Sequence, residues 1–422
     1  MNGCACDVMT VRLDKKDKRR DGGMSETAAL SGAGASLSGT NLERAGDHNQ
    51  RVTLQAIRIG GPTTRAYLVE VTGLTPPAIA NITKRLLKEK LIIEVGRRQG
   101  ARGQPAMKLA INPDGSFALG LNIDRDHITL LLLDLAGKVR ARVSWDVDFA
   151  LPEAVADFVG REIGPLLATA GVSMKEILGV GVAMPDDMGR VPLPHWPEGY
   201  SAWDGVDIRH LLAPILPLPV FIENDAAAAA LGELHFGHGL HHPNFFYVLV
   251  SLGLGGGLVI EGNYYRGALG RSGEIGFLPI AGGKSLQEAV SLAALYDHLA
   301  SDGIEISRPD LLVDSSAKVR ASLDRWLDRA AELMEGPLVA INCLINPKAI
   351  YIGGRLPAEM VNGLSVRLNR RLADLKGLPA MAPVQRAAMA ADAPAVGAAM
   401  LPFGIRLLPS ATVLMKPPEA GS

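Results

Sequence analysis

Between Val250 and Gly262 the chain reads VSLGLGGGLVIEG, with Gly253, Gly255, Gly256 and Gly257 set between two apolar runs. Glycine has no Cβ to hold a ligand away, so such a loop lets backbone N–H groups close on a phosphate. The stretch therefore signals either phosphate chemistry or a tight turn that outlived it. A second cluster, HFGHGLHH, gathers His235, His238, His241 and His242. It has the composition of a metal site, but its glycines break any regular ligand spacing, and a solvated surface loop is the expectation. Cys4 and Cys6 form a C-x-C without a partner pair, and Cys343 stands alone. Neither a disulfide framework nor a cysteine zinc site is expected from them, and a reducing cytoplasm is.

The scaffold that must position such groups is large. At 422 residues with 48% hydrophobic content, the chain has material for about three domains of ordinary size. Its longest uncharged apolar stretch, Phe245–Ile260, falls short of the ~20 residues a membrane helix needs and is broken by the glycines. It reads as two strands and a turn. The charged N-terminus lacks the apolar core of a secretory signal. No membrane partner is expected.

A net charge of −1 hides an asymmetry: residues 51–110 carry +8 and the remainder −9. A basic segment joined to an acidic body is the electrostatic footprint of a nucleic-acid module. Its pattern agrees. NQRVTLQAIRIGG and TTRAYLVEVTGL read as helices ending in glycine. TPPAIANITKRLLKEKLI begins at Thr75, a good N-cap, with Pro76 at the first helical position. Ile79, Ile82, Leu86 and Leu87 follow helical spacing and leave Asn81, Lys84, Arg85 and Lys88 more outward. Two helices joined by a tight turn match a helix-turn-helix, whose second helix enters the major groove of double-stranded DNA. LIIEVGRRQGARGQPAMKLAIN then reads as strand, turn and strand, a wing whose Arg97, Arg98 and Arg102 can touch phosphates.

Residues 1–48 are charged or small and bury little, so a disordered tail is expected there. A winged helix-turn-helix follows over 49–114. From Phe117 strands alternate with amphipathic helices, the signature of an α/β domain, taken as 115–405 with a C-terminal tail over 406–422.

From Asn49 to about Phe403 the chain resembles the ROK family (repressors, open reading frames and sugar kinases) in its form with an N-terminal winged helix. GLTPPAIANITKRLLKEKLI is similar to the family's helix-turn-helix, and PVFIENDAAAAALGE to its segment around the catalytic aspartate. SLGLGGGLVIEGNYYRGALGRSGEIG resembles the family signature, and INPKAIYIGG the adenosine-side motif. The resemblance implies a two-lobed, actin-like ATPase fold that binds ligand between its lobes.

It also implies roles. Asp225 falls at the catalytic-base position with Asn224 beside it as a hydroxyl-orienting amide; the plainer reading of Asp225 is a strand-end carboxylate capping an alanine-rich helix. Gly253, Gly255, Gly256 and Gly257 correspond to a second phosphate loop. The first phosphate loop of the family's kinases is Asp-x-Gly-Gly-Thr-Lys. Here NIDRDH places Asn122 for the aspartate, Asp124 and Arg125 for the glycines, and Asp126 and His127 for the threonine and lysine. Side chains block close backbone approach, and two carboxylates repel a triphosphate. ATP binding and phosphoryl transfer are not expected, which leaves the glycines as a relict loop.

The family's Glu-x-x-His pair is kept only at Glu274, since Phe277 replaces the histidine. The following AGGKSLQEAVS has no cysteine, so the family zinc site, and any metal, is expected to be absent. Gln287 aligns with a sugar-binding glutamate, while Glu288 pairs with Ser285 in a capping box. Asn224, Asp225, Glu274 and Gln287 remain as a candidate pocket for a sugar-like effector. The combined expectation is a cytoplasmic transcriptional regulator, a repressor of carbohydrate-related genes. It would bind operator DNA as a homodimer or higher homo-oligomer and sense the effector without phosphorylating it. An ATP-dependent sugar kinase carrying a DNA-binding domain is the alternative, and a DNA-bound scaffold without effector is a third.

Overall fold

The structure, a computed structural model, describes residues 42–97, 106–186, 188–190, 199–313, 316–389 and 392–409. The chain opens with helix α1 (Leu42–Gly60), which starts ahead of the boundary expected at residue 48. Arg51 extends it backwards by pairing with Asp47 one turn earlier, at 3.0 Å. Helix α2 (Arg65–Thr72) is closed by Gly73 at φ 68°, a left-handed cap that favours glycine. Helix α3 (Pro76–Lys88) starts where expected, with Thr75 Oγ1 accepting from Ala78 N and proline in the first turn. Strands β1 (Thr63–Thr64), β2 (Ile92–Arg97) and β3 (Met107–Ile111) form a small sheet in the order β1-β3-β2. Three helices and this hairpin make a winged helix-turn-helix. The turn of its wing, with Arg98 and Arg102, lies outside the described residues.

Two five-stranded sheets follow. The first holds β4 (Phe117–Ile123), β5 (His127–Asp134), β6 (Val139–Asp146), β7 (Ile177–Met184) and β8 (Val220–Asn224), in the order β6-β5-β4-β7-β8. Helix α4 (Pro152–Ala170) covers one face through Val155, Phe158 and Val159, and the short α5 (Ile208–Leu212) closes the same core. The second sheet holds β9 (Phe245–Val250), β10 (Leu254–Ile260), β11 (Asn263–Tyr264), β12 (Ala349–Gly354) and β13 (Val384–Arg386), in the order β11-β10-β9-β12-β13. Its outer helices are α7 (Leu292–Ser301), α8 (Ala317–Ile345) and α9 (Ala358–Asp374). Strands β4 and β9 are buried along their whole length, as strands covered on both faces must be.

Helix α6 (Asp225–Phe236) and helix α10 (Ala393–Arg406) cross between the two sheets. A Cβ at Gly397 would collide with the backbone of α6 at Ala228, and a Cβ at Gly232 would come 2.7 Å from Ala393 O. The helices therefore touch backbone to backbone, which alanine and glycine alone allow. The other side of α10 shares one buried cluster with the DNA module: Leu54, Ile57, Leu68, Ile79 and Leu86 pack with Ala395, Val396, Met400 and Phe403. Arg51 Nη1 adds a hydrogen bond to Ile405 O at 2.8 Å. Among the described residues no helix is long and apolar enough to cross a membrane.

Candidate functional site

The cleft between the two sheets is built first at the junction of β8 and α6. Asn224 is the N-cap: its Oδ1 accepts from Ala226 N at 2.9 Å and Ala227 N at 3.1 Å. Capping therefore falls to Asn224 rather than to Asp225. The free side of its amide donates to Asp186 Oδ2 at 3.2 Å. Asp225 sits in the first turn, where its Oδ1 accepts from Ala226 N at 2.8 Å. Burial, then the nearby carboxylates of Asp124 and Asp186, push Asp225 up to about 7 against the pull of Arg125. A carboxyl held near neutrality can either give or take a proton from a bound hydroxyl or anion.

The facing wall comes from the second lobe. Asn224, Asp225, Glu274 and Gln287 line one cleft together with Gly253, Gly255 and Gly256, so the structure brings the expected ligand residues to one place. Glu274 accepts from Arg271 Nε at 3.0 Å, which fixes its carboxylate beside the cleft. Phe277, half exposed, adds an apolar edge. Glu288 closes the capping box with Ser285 through Ser285 N and Oγ, both at 2.7 Å.

The glycine run has a packing reason that its sequence does not reveal. A Cβ at Gly255 would meet Ala226 Cβ at 2.8 Å, and one at Gly257 would meet Ala230 Cβ at 2.5 Å and Ala226 O at 2.8 Å. These two glycines let β10 lie directly on α6. Gly257 faces that helix and does not line the cleft, so it leaves the set expected for the phosphate loop. Only Gly253 opens toward a charged group: its Cβ would come within 2.9 Å of Arg125 Nη1.

The segment NIDRDH divides differently from the expectation of two carboxylates aimed at a phosphate. Asp126 turns away, to His127 Nδ1 at 2.8 Å and to Arg355 Nη1 at 2.8 Å. Burial opposes its charge, but His127 and Arg355 hold its carboxyl below the usual range. Arg355, just after β12, also binds Asp146 at 2.6 Å, so an ion-pair network spans the lobes. Asn122 is buried with its Nδ2 3.0 Å from His127 Nε2. Asp124, Asp126 and His127 could each offer a metal a ligand atom within 4.8 Å of the others, yet Asp126 is already committed to Arg355. Arg125 alone extends into the ligand cleft. Sequence reasoning treated it as a steric block; its position calls for a role as a contact residue. Asp186, on the loop after β7, was missed for want of any local pattern.

The histidines divide: His238 and His241 are exposed, as expected of a surface loop, while His235 and His242 are partly buried, and among the described residues they form no metal-binding group. His238 stacks on Tyr351 at 5.1 Å, and His242 Nδ1 is hydrogen-bonded to the Tyr351 hydroxyl. His235, at the end of α6, meets Arg58 Nη2 at 3.0 Å.

On α3, Asn81, Lys84 and Lys88 are exposed along one face, while Ile79, Thr83 and Leu86 are buried. Arg85 is exposed but drawn toward Glu89 at 3.6 Å and Asp47 at 4.0 Å. The Thr75 hydroxyl is engaged in the cap. Arg97 ends β2, next to the wing turn.

A two-lobed α/β body with a cleft at its centre, joined to a winged helix, defines a kinase-like class of architecture. The chain belongs to the ROK family, whose model matches residues 118–403. The chain is 31% identical over 236 residues to the xylose repressor of Bacillus subtilis, a match covering 55% of this chain and 60% of that protein. The alignment thus spans less than two thirds of that relative's length. It is 24% identical over 341 residues to the N-acetylglucosamine repressor of Escherichia coli O157:H7, covering 75% of this chain and 82% of that one. Among solved structures, a ROK family transcriptional regulator, a homolog of the E. coli MLC protein, superposes with a TM-score of 0.65 at 22% identity. It covers 86% of this chain and 97% of its own, and the likeness establishes the actin-like fold with its N-terminal helical module.

Proposed function

We propose that this protein is a sugar-responsive transcriptional repressor whose kinase-like body senses an effector without phosphorylating it. The observation that carries the reading is the replacement of the first phosphate loop. Arg125 projects into the cleft against Gly253, and Arg355 ties Asp126 and Asp146 across the lobes. Phosphoryl transfer needs donors and Mg²⁺ around the transferred phosphate, and neither buried Asn122 nor the paired Asp126 offers a free carboxylate for it. Similarity to the xylose and N-acetylglucosamine repressors supports a sugar as the effector class and operator DNA as the macromolecular partner. The basic module, up to residue 114, binds the DNA, and the body from 115 to 405 senses. No ATP, zinc or other metal takes part, in keeping with Phe277 and the cysteine-free 281–291 stretch. The protein works in the cytoplasm as a homodimer or higher homo-oligomer on a two-fold operator.

The test is electrophoretic titration of the full chain against its own upstream region, with and without sugars selected by thermal shift. Asp225→Ala and Glu274→Ala are expected to abolish the response to sugar and to keep binding in its absence. A lack of preference over random DNA would refute the reading.

A further inference from the structure

This inference rests on the sensor reading above and names the chemistry of its ligand. Arg125 is pinned through its backbone: its N donates to Asp124 Oδ1 at 2.7 Å, and its carbonyl accepts from Ala150 N at 2.9 Å. Its side chain is thereby aimed into the cleft, next to Gly253 and Gln287. Nε is shut off from solvent, with no hydrogen-bond partner among the described residues. The other arginines around the cleft differ. Arg271 is paired with Glu274, Arg266 with Glu223, and Arg355 with Asp126 and Asp146. Asp225 offsets part of the Arg125 charge, but a buried guanidinium N–H without an acceptor is costly, and an anionic acceptor relieves it more than a neutral hydroxyl does.

We propose that the cleft binds an anionic sugar derivative, a sugar carboxylate or a sugar phosphate, with Arg125 holding the charged group and Asn224, Glu274 and Gln287 facing the hydroxyls. The planar guanidinium fork matches both anions in a way that lysine does not. The N-terminus of α6, at the same end of the cleft, favours negative charge as well. Asp124 and Asp225 lie close enough to oppose an anion. Asp225, titrating near 7, relieves its share by taking a proton.

The experiment is calorimetry and thermal shift on the full chain with matched probes. Glucose, N-acetylglucosamine and xylose serve as neutral sugars, glucose 6-phosphate and N-acetylglucosamine 6-phosphate as phosphates, and glucuronate and gluconate as carboxylates. At least one anionic probe is expected to bind tenfold or more tightly than its neutral parent, and the arm that does so identifies the anion. Arg125→Gln is expected to weaken that probe about ten- to a hundredfold, the value of a charge-assisted contact, and to leave the parent sugar unaffected. Arg125→Lys is expected to recover part of the loss. The inference falls if neutral parents bind as tightly, if Arg125→Gln changes nothing, if inorganic phosphate alone protects equally, or if no probe binds. A neutral sugar that binds tightly and shifts operator affinity would overturn the anion assignment and keep the regulator. An anion held by Arg125 that leaves operator affinity unchanged would do the reverse.

Discussion

The Arg58 guanidinium of the DNA module lies 5.4 Å above the ring of Phe236 and donates to His235 Nδ1 at 3.0 Å and His235 O at 3.2 Å. His235 and Phe236 are the last residues of α6, and Asp225 is its first. One helix of twelve residues, about 18 Å long, therefore runs from the ligand cleft to the DNA module. Burial and the Arg58 charge hold His235 down at about 3, so it stays neutral and accepts from Arg58 across the physiological range. Gly232 and Gly397 hold α6 closely against α10, so α6 is the expected route by which a change at the cleft reaches Arg58 on α1.

Arg58→Ala is accordingly expected to uncouple the two ends. Effector-dependent change in operator affinity, typically 1–3 kcal/mol in coupled systems, should fall toward zero while ligand affinity is unchanged in the absence of DNA. Fluorescence anisotropy on labelled operator, with and without ligand, checks this. Full coupling in the variant would show that the signal travels by another route.

The same assay separates the outward residues of α3. Lys84→Ala is expected to weaken all sequences and to lower the salt slope by about one. Asn81→Ala is expected to cost about 1–3 kcal/mol of discrimination between operator and random DNA. Arg85 is exposed and lies 4.0 Å from Asp47 and 3.6 Å from Glu89, pairs too weak to hold it away from DNA, so Arg85→Ala is expected to lose sequence preference as well. Unchanged specificity in Arg85→Ala would mean that the side chain stays with those partners on DNA.

How much of this was legible in the sequence depends on how local each cause is. Thr75, Pro76 and Gly73 act within one turn of chain, and the helices they bound form as read. Asn224, Asp225, Glu274 and Gln287 were legible as a set through family likeness and do converge. Directions set by distant partners were not legible. Arg85 turns toward Asp47, 38 positions away, and Gly257 is a glycine because of Ala230 on another element. Arg125 reads as an obstruction until Gly253, on the other lobe, is seen beneath it. The loop that carries His238 and His241 is exposed as its composition implies, but the packing of His238 and His242 on Tyr351, over a hundred residues on, is not legible locally.

Absence of kinase activity is the next expectation. A coupled ADP-release assay over hexoses and amino sugars should show no turnover near the roughly 1–100 per second of working kinases. Arg125→Gly alone should not restore it, because Asn122 and the Arg355 network remain. Turnover in the native protein would require the first loop to rearrange wholesale.

Arg355 makes a stability prediction with a definite sign. Arg355 and Asp126 side chains are 18% and 16% exposed, so Arg355→Met leaves a largely buried carboxylate with His127 as its remaining partner and should cost about 1–3 kcal/mol, the value of a hydrogen bond to a charged group. Asp126 has a depressed folded-state value. Its contribution is therefore present above the unfolded aspartate value of about 3.9 and lost as pH falls through the folded one. Urea denaturation from pH 7 to pH 3 should show this acid loss in the native protein and less of it in Arg355→Met. Equal acid sensitivity in both would remove the network from the stability account.

Asp225 gives the last prediction, on binding rather than folding. Its carboxyl titrates near 7 because of burial and of Asp124 and Asp186, with Arg125 pulling the other way; Arg271 and Glu274 complete the charges lining the cleft. An anion seated on Arg125 adds negative charge beside Asp225 and raises its pKa further in the complex. Binding then takes up protons, and linkage requires affinity to rise as pH falls from about 8 to 6, by at most about tenfold per unit for one proton. The gain levels off once Asp225 is protonated in the free protein as well. Asp225→Asn resembles the protonated form, so it should bind the anionic probe at pH 8 at least as tightly as the native protein and lose the pH dependence. Comparing the two proteins with one probe cancels the probe's own titration. Calorimetry at pH 6, 7 and 8 decides it: parallel pH profiles would place the titrating group elsewhere, and a native profile that rises with pH would contradict an anion beside Asp225.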